Sequence, residues 1–458
     1  TTEVGKKLGV ELTEVTTEVI DGVAVQVEKK IPSNEILFKL IEKCAENANS
    51  QVAVLIDEYD KPYLSFTQYS TEMEKVRGLL RDYYTQLKAA EENISFIFIT
   101  GVSKFSLGGI FSTLNNITDI SISPRFGAIC GFTQPELESR FASHIEATAQ
   151  ALLMSPAELL AEMRDYYDGF CFDGQTRVYN PFSTMQFFYN QEFDNYWFES
   201  GTSLHIAQYL WDKRLTVEQF RGMTIDRQLA RDPGEIDQAS PKCYLYQFGY
   251  LSLRPGKSKG AFTLDYPNRE VLEAMSRLLI RNFLGSADAD LAFESLADSF
   301  RDRNPAGVIE EFNSLLASFP YDDYSAANRA SFEKNYPRAQ LSESMYRWGL
   351  FALIRGARLT ILPEVHGHLG RADLVVILGS LVWVLELKVS RSDRQEIAGD
   401  EALAEAALRQ IHEKGYAAPY KNPVLLALVI NDVKRAITAW RAEGGEGAIA
   451  NPAPEPSS

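Results

Sequence analysis

No uninterrupted apolar stretch in this 458-residue sequence approaches the ~18 to 20 residues that cross a bilayer. The opening residues, TTEVGKKLGVELTE, lack the apolar core of a signal peptide. Cysteine is scarce. The four that occur, Cys44, Cys130, Cys171 and Cys243, are far apart and form no C-x-x-C pair, so neither a disulfide scaffold nor a zinc ribbon fits. Positive charge is in deficit, with 46 Lys and Arg against 62 Asp and Glu and a formal net charge of −16. Passive coating of nucleic acid needs local positive charge, so that class is disfavoured for the chain as a whole. These absences leave a soluble, reduced, cytoplasmic protein without a membrane partner as the expectation.

What is present is an ordinary globular mixture, 45% hydrophobic and 24% charged. At roughly 150 residues per domain, the length suggests two to four domains. The acidity is unevenly spread: from Glu343 to Trp440 there are 12 Lys and Arg against 11 Asp and Glu, a near-neutral segment. An enzyme acting on nucleic acid through that part of the chain is therefore admissible.

The first clear pattern is Gln51-Val-Ala-Val-Leu-Ile56, an apolar run ended by Asp57-Glu58, and a second is Ile94-Ser-Phe-Ile-Phe-Ile99, ended by Thr100-Gly101. Between them, Tyr69 to Ala90 has helical spacing with Ser70 as an N-cap residue. Two apolar strands joined by a helix predict a parallel pair buried on both faces. Ligand sites in such sheets lie beyond the carboxyl ends of the strands, where Asp57, Glu58, Thr100 and Ser103 fall. Residues 133–270 read as helical and aromatic-rich. Within them a hairpin is expected from Tyr244 to Leu253 and Ala261 to Tyr266 around the basic tip Arg254-Pro-Gly-Lys-Ser-Lys-Gly260. A helical connector is expected over 271–335, a last domain over 336–446 and a disordered tail over 447–458.

That last domain predicts a helix over Ser342–Arg355, strands over Leu359–Val365, Arg371–Leu378 and Leu381–Val389, a helix over Asp400–Lys414 closed by Gly415, and a final strand over Val424–Ile430. Gly379-Ser380 is a two-residue turn that pairs Leu378 with Leu381. Counting back along both strands sets Asp373 opposite Glu386, with Lys388 two residues on and on the same face. Opposed carboxylates repel, and a divalent cation with oxygen ligands removes that repulsion. A neighbouring lysine can then orient a water or stabilise charge on a phosphate. The blander reading has the acids separately solvated or paired with Arg371 and Lys388. His366-Gly-His368 is more economically a solvated turn than a metal ligand, and His412, two residues after Gln410, should face away from the site.

Gly370-Arg-Ala-Asp-Leu-Val-Val, Val384-Leu-Glu-Leu-Lys-Val and Ala407-Leu-Arg-Gln-Ile-His-Glu-Lys-Gly-Tyr416 resemble the PD-(D/E)XK nuclease superfamily, closest to the nuclease domain that follows an AAA-ATPase-like domain in many bacterial proteins. Upstream, Val54-Leu-Ile-Asp-Glu-Tyr-Asp-Lys-Pro62 and Phe98-Ile-Thr-Gly-Val-Ser-Lys-Phe105 resemble that ATPase family's Walker B strand and the strand after it. The resemblance implies an α/β chain: a P-loop-type parallel-sheet domain over 1–132, then the helical region with its hairpin, then a restriction-endonuclease-like αβββαβ domain. It implies Mg²⁺ or Mn²⁺ on Asp373 and Glu386, with Glu343 or Glu364 as a further ligand, Lys388 serving the attacking water and Gln410 as the helical glutamine. Arg371 and Tyr416 are implied contacts to nucleic acid, with DNA the implied substrate. Asp57, Glu58 and Thr100 would serve ATP. However, no G-x-x-x-x-G-K-[ST] loop occurs here, so the chain reads as N-terminally truncated or as having lost the loop, and ATP is expected only if that loop exists upstream in the native protein. The rival from another class is a scaffold whose acidic N-terminal part binds a protein partner or a second copy while the nuclease fold is idle.

Overall fold

The computed structural model describes residues 13–20, 23–31, 35–64, 70–104, 116–197, 222–231, 240–256, 261–284, 286–318, 338–366, 371–390 and 397–444. These fall into two compact units. One comprises residues 1–133, 170–178 and 222–265; the other comprises 134–169, 179–221 and 266–458.

The first unit opens with an antiparallel pair, β1 (Thr13–Ile20) and β2 (Val23–Lys30), in register from Thr13 with Lys30 to Ile20 with Val23. Helix α1 (Ile36–Ala48), strand β3 (Val52–Ile56), helix α2 (Ser70–Ala89) and strand β4 (Ile94–Ile99) follow. Strands β3 and β4 pair in parallel, as expected. Leu37, Ile41, Tyr84, Leu87 and Ala90 cover one face of the pair. The expectation of burial on both faces is not met: Leu55 is 72% and Phe96 56% exposed. Alternation along β3 puts Leu55 on the face opposite the α1–α2 core, which accounts for its exposure. A three-stranded antiparallel sheet, β5 (Met223–Asp226), β6 (Ser252–Pro255) and β7 (Ala261–Asp265), has order β5-β7-β6. The hairpin expected around the basic tip is thus present in its inner halves. Tyr244–Gln247 is helical instead, because Pro241 at the first turn of a short helix, Pro241–Gln247, sets φ for helix entry. Residues 257–260 of the tip lie outside the described residues.

In the second unit, α3 (Pro156–Tyr167) starts with a capping box between Ser155 and Glu158, and α4 (Pro181–Asn190) is capped by Asn180. Helices α5 (Arg269–Leu284), α6 (Ser286–Arg301) and α7 (Pro305–Ser318) lead to α8 (Arg338–Gly356). Strands β8 (Thr360–His366), β9 (Arg371–Leu378) and β10 (Leu381–Ser390), helix α9 (Ile397–Glu413) and strands β11 (Val424–Asn431) and β12 (Ala436–Glu443) complete the unit. The five strands form one sheet in sequence order, antiparallel except for the β10–β11 pair. A parallel pair needs a crossover, and α9 supplies it. The expected order of helix, three strands, helix and strand is observed, followed by a strand that was not foreseen. In β12 only Ile437, Ala439 and Trp440 are buried, so its apolar signal is thin. Trp383 reaches from this sheet to α6, where its indole N–H donates to the Phe300 carbonyl at 3.1 Å and its ring meets Phe300 edge-on. Gly356 ends α8 where a Cβ would stand 2.4 Å from the Phe293 ring, so the close approach of these helices requires glycine.

Candidate active site

The hairpin places the site. Gly379 sits at φ +60°, a conformation that favours glycine, and the turn pairs Leu378 with Leu381 as expected. The ladder then runs back through Leu374 and Leu385 and stops one residue short of the two acids. It stops because the Leu387 N–H donates to Asp373 Oδ2 at 2.9 Å, so a carboxylate takes the place of a strand partner. Asp373 and Glu386 are 8% and 2% exposed. Carboxylates this buried must be compensated, since an unpaired buried ion is destabilising by several kcal/mol.

Compensation comes from three directions. Lys388 Nζ donates to Glu386 Oε1 at 2.9 Å, and Gln410 Nε2 donates to the same oxygen at 2.5 Å. From α8, Arg347 Nη1 donates to Asp373 Oδ1 at 3.2 Å. Gln410 reaches the strand because α9 lies on it through small or apolar residues, Ala404, Ala407 and Ile411, all fully buried. The helix ends at Gly415, φ +64°, and the chain folds back so that the Tyr416 hydroxyl accepts from Gln410 Nε2 at 3.3 Å. Tyr416 is buried in the core between α9 and the sheet. His412 points elsewhere, as expected, and bonds Glu443 at 2.8 Å on the surface.

The row of side chains continues along β10. Ser390 pairs in register with Asn431, whose side chain donates to Ser390 Oγ at 3.1 Å. Asp400, buried at the start of α9, accepts from Thr438 Oγ1 at 2.6 Å. This network and Arg347 were missed in the sequence. Arg347 had a faint signal, a charge on the apolar run of α8 one turn after Glu343.

The two acids offer hard oxygen donors from adjacent strands, which suits a hard divalent cation. Among the described residues no group of three or more His, Cys, Asp and Glu gathers as a metal site. Of the candidate third ligands, Glu364 lies on β8 and Glu343 on α8, and the side chains of both lie outside the described residues. The flanking pairs Pro363 with Leu374 and Val365 with Ala372 bracket Glu364 against Asp373 in backbone register. Arg371 begins β9 and is exposed. His368 lies outside the described residues, as does the side chain of His366.

With this geometry, comparison with known proteins is informative. A family model described as PD-(D/E)XK nuclease superfamily matches residues 341–440. Residues 341–440 form a PD-(D/E)XK domain. A second model, described as Predicted AAA-ATPase, matches residues 2–111, so an AAA-ATPase-like segment precedes the PD-(D/E)XK domain in the chain. A protein of Azotobacter chroococcum mcd 1 described as "Uncharacterized protein in vnfD 5'region" is 29% identical over 414 residues, which span 88% of this chain and 74% of that protein. No solved structure matches. No helix among the described residues is long and apolar enough to cross a membrane.

In the AAA-ATPase-like segment, the Thr100 hydroxyl donates to Asp57 Oδ1, and the Glu58 N–H donates to the same oxygen at 2.9 Å. Glu58 holds a left-handed φ of 50°, and its carboxylate pairs with Lys61 at 2.7 Å. Asp60, fully buried, accepts from the N–H groups of Val102 and Ser103 and so ties the loop after β4 to the loop after β3. The two strand ends are locked together, with Asp57 and Thr100 in contact.

Proposed function

We propose that the PD-(D/E)XK domain hydrolyses phosphodiester bonds of nucleic acid, DNA in the first instance, with Mg²⁺ or Mn²⁺. The observation that carries this reading is the meeting of Lys388 and Gln410 at the buried Glu386 Oε1, with the buried Asp373 carboxylate bonded to the N–H of Leu387, the next residue along the same strand. Asp373 and Glu386 would hold the cation, with Glu343 or Glu364 as a third carboxylate. A bound divalent cation supplies a water of lowered pKa and neutralises charge on the phosphate. Lys388 sits where its ammonium can orient the attacking water and stabilise the charge that grows on the phosphate oxygens. Gln410 fixes the Glu386 carboxylate, and Tyr416 fixes Gln410, so Tyr416 serves the site through Gln410. Arg371, exposed at the start of β9, would contact the nucleic-acid backbone.

Asp57, Glu58 and Thr100 would serve a nucleotide only with a phosphate loop, which this sequence lacks; ATP enters the reading on that condition alone. The test is incubation of duplex and single-stranded DNA with the full chain and Mg²⁺ or Mn²⁺, wild type beside Asp373→Asn. Cleavage by the wild type should fall at least ~100-fold in the variant, whose fold is unchanged by circular dichroism. Equal cleavage by both would remove Asp373 from the chemistry and the assignment with it.

A further inference from the structure

The acid pair carries its own counter-ions. Asp373 bears one negative charge against Arg347, and Glu386 one against Lys388, so the four groups are neutral together. Arg347 is not a surface side chain that reaches in by chance. It is 9% exposed and lies on the segment of α8 fixed by Tyr346, whose hydroxyl donates to Asp432 at 2.6 Å, and by the buried Leu350 and Phe351. A divalent cation added to a neutral, water-poor cluster leaves a net charge of two that the interior must compensate. A third carboxylate would offset one of those charges. The phosphodiester of the substrate would offset the other, and a planar guanidinium that has released a carboxylate matches phosphate geometry.

We propose that Arg347 makes cation binding at Asp373 and Glu386 depend on the substrate phosphate: the guanidinium holds Asp373 while the cation is absent and turns to the phosphodiester when the cation takes Asp373 over. The inference rests on the metal-dependent reading of this site. It adds a phosphate-binding residue and an order of events, in which cation and nucleic acid bind together more tightly than either does alone. By linkage, the factor by which nucleic acid tightens the cation is the factor by which the cation tightens nucleic acid.

The experiment is calorimetric titration of Mn²⁺ into the full chain, with and without a phosphorothioate duplex, for the wild type, Arg347→Met, Arg347→Gln and Asp373→Asn. For the wild type, the duplex should tighten Mn²⁺ at least tenfold, about 1.4 kcal/mol. In R347M, Mn²⁺ without duplex should bind at least tenfold more tightly than in the wild type without duplex, and the duplex should add less than threefold. R347Q, uncharged but able to hydrogen-bond, takes its place if the methionine variant does not fold. A wild-type affinity that the duplex leaves unchanged overturns the inference, with or without folded variants, and so does an uncharged variant that binds no more tightly than the wild type. If Mn²⁺ binds the wild type but not D373N while the duplex has no effect, only the role of Arg347 falls. If no form binds Mn²⁺ with or without duplex, the metal-dependent reading falls and takes this inference with it.

Discussion

Gln410 illustrates how one side chain can matter without touching a substrate. Its amide nitrogen donates both to Glu386 Oε1 at 2.5 Å and to the buried Tyr416 hydroxyl at 3.3 Å, so one NH2 group is shared between a carboxylate and a tyrosine that fixes its direction. Groups that orient a metal's ligands typically change affinity or activity 10- to 100-fold when removed. Gln410→Ala should therefore lower cleavage by roughly that factor and weaken Mn²⁺ binding alongside. Tyr416→Phe, which keeps the ring in the core and loses only the hydroxyl, should lie within about tenfold of wild type. Rates for both variants at saturating Mn²⁺ and in a Mn²⁺ titration separate the two effects. A Q410A enzyme with wild-type rate and wild-type Mn²⁺ dependence would leave Gln410 as a packing residue. Glu386 and Lys388 were legible because a turn dipeptide and strand periodicity fix which face each strand position takes, whereas Gln410, on helix α9, was legible only through the family resemblance. Arg347 was not, since its partner Asp373 is 26 residues away and only the approach of α8 to β9 brings them together.

Among the helices, α5 carries two fully buried carboxyl groups, Glu270 and Glu273, and they differ in company. Glu273 accepts from the Tyr166 hydroxyl at 3.0 Å and pairs with Arg269 at 2.8 Å. Glu270 accepts the Trp197 N–H at 2.8 Å, and burial, reinforced by the charge of Asp194, pushes its carboxyl up to about 8. A folded-state pKa above the unfolded value means that the folded chain binds the extra proton between about pH 4.5 and pH 8. Stability from this group is complete below that window and is lost as pH rises through it, by up to about 1.4 kcal/mol per pH unit. Asp119 and Asp173, whose carboxyls are held low by their hydrogen bonds despite burial, titrate below the window and do not mask it. Urea unfolding at pH 5.5, 6.5 and 7.5 should show Glu270→Gln gaining on the wild type as pH rises; parallel profiles would exclude Glu270 as the source. Nothing in the local pattern of residues marks Glu270, because burial of an acid on a charged helix is a tertiary fact. Element types were far more legible. Strands β3, β4, β9, β10 and β11 and helices α2, α8 and α9 fall within a few residues of their expected bounds, since each has a clear period and a Gly, Ser or acid pair at its ends. Strand β12 was missed because three buried residues in eight make a weak period, and Tyr244–Gln247 was misassigned because proline at the helix start outweighed an aromatic-rich run.

Across the whole chain, charge sets the terms on which nucleic acid can be met. The protein carries a formal −16, while the segment around the PD-(D/E)XK site is near neutral. Each phosphate neutralised by Lys or Arg releases condensed counterions, so the logarithm of affinity falls with the logarithm of salt by about 0.9 per contact on duplex DNA. Among the described residues, the cations that the site presents are Arg371 at the surface, Lys388 beside Glu386, and Arg347 once it leaves Asp373. Long-range attraction is missing as well, because the net field of an acidic protein repels a polyanion and added salt screens that repulsion. Both effects act in the same direction. Binding of an uncleavable duplex, followed by fluorescence anisotropy between 50 and 200 mM salt in saturating Mn²⁺, should therefore give a shallow slope of no more than about 3. Arg371→Ala should reduce that slope by about 1. A slope steeper than about 5 would mean that a basic surface elsewhere on the chain grips the duplex, and the contacts would then have to be sought away from β9 and β10.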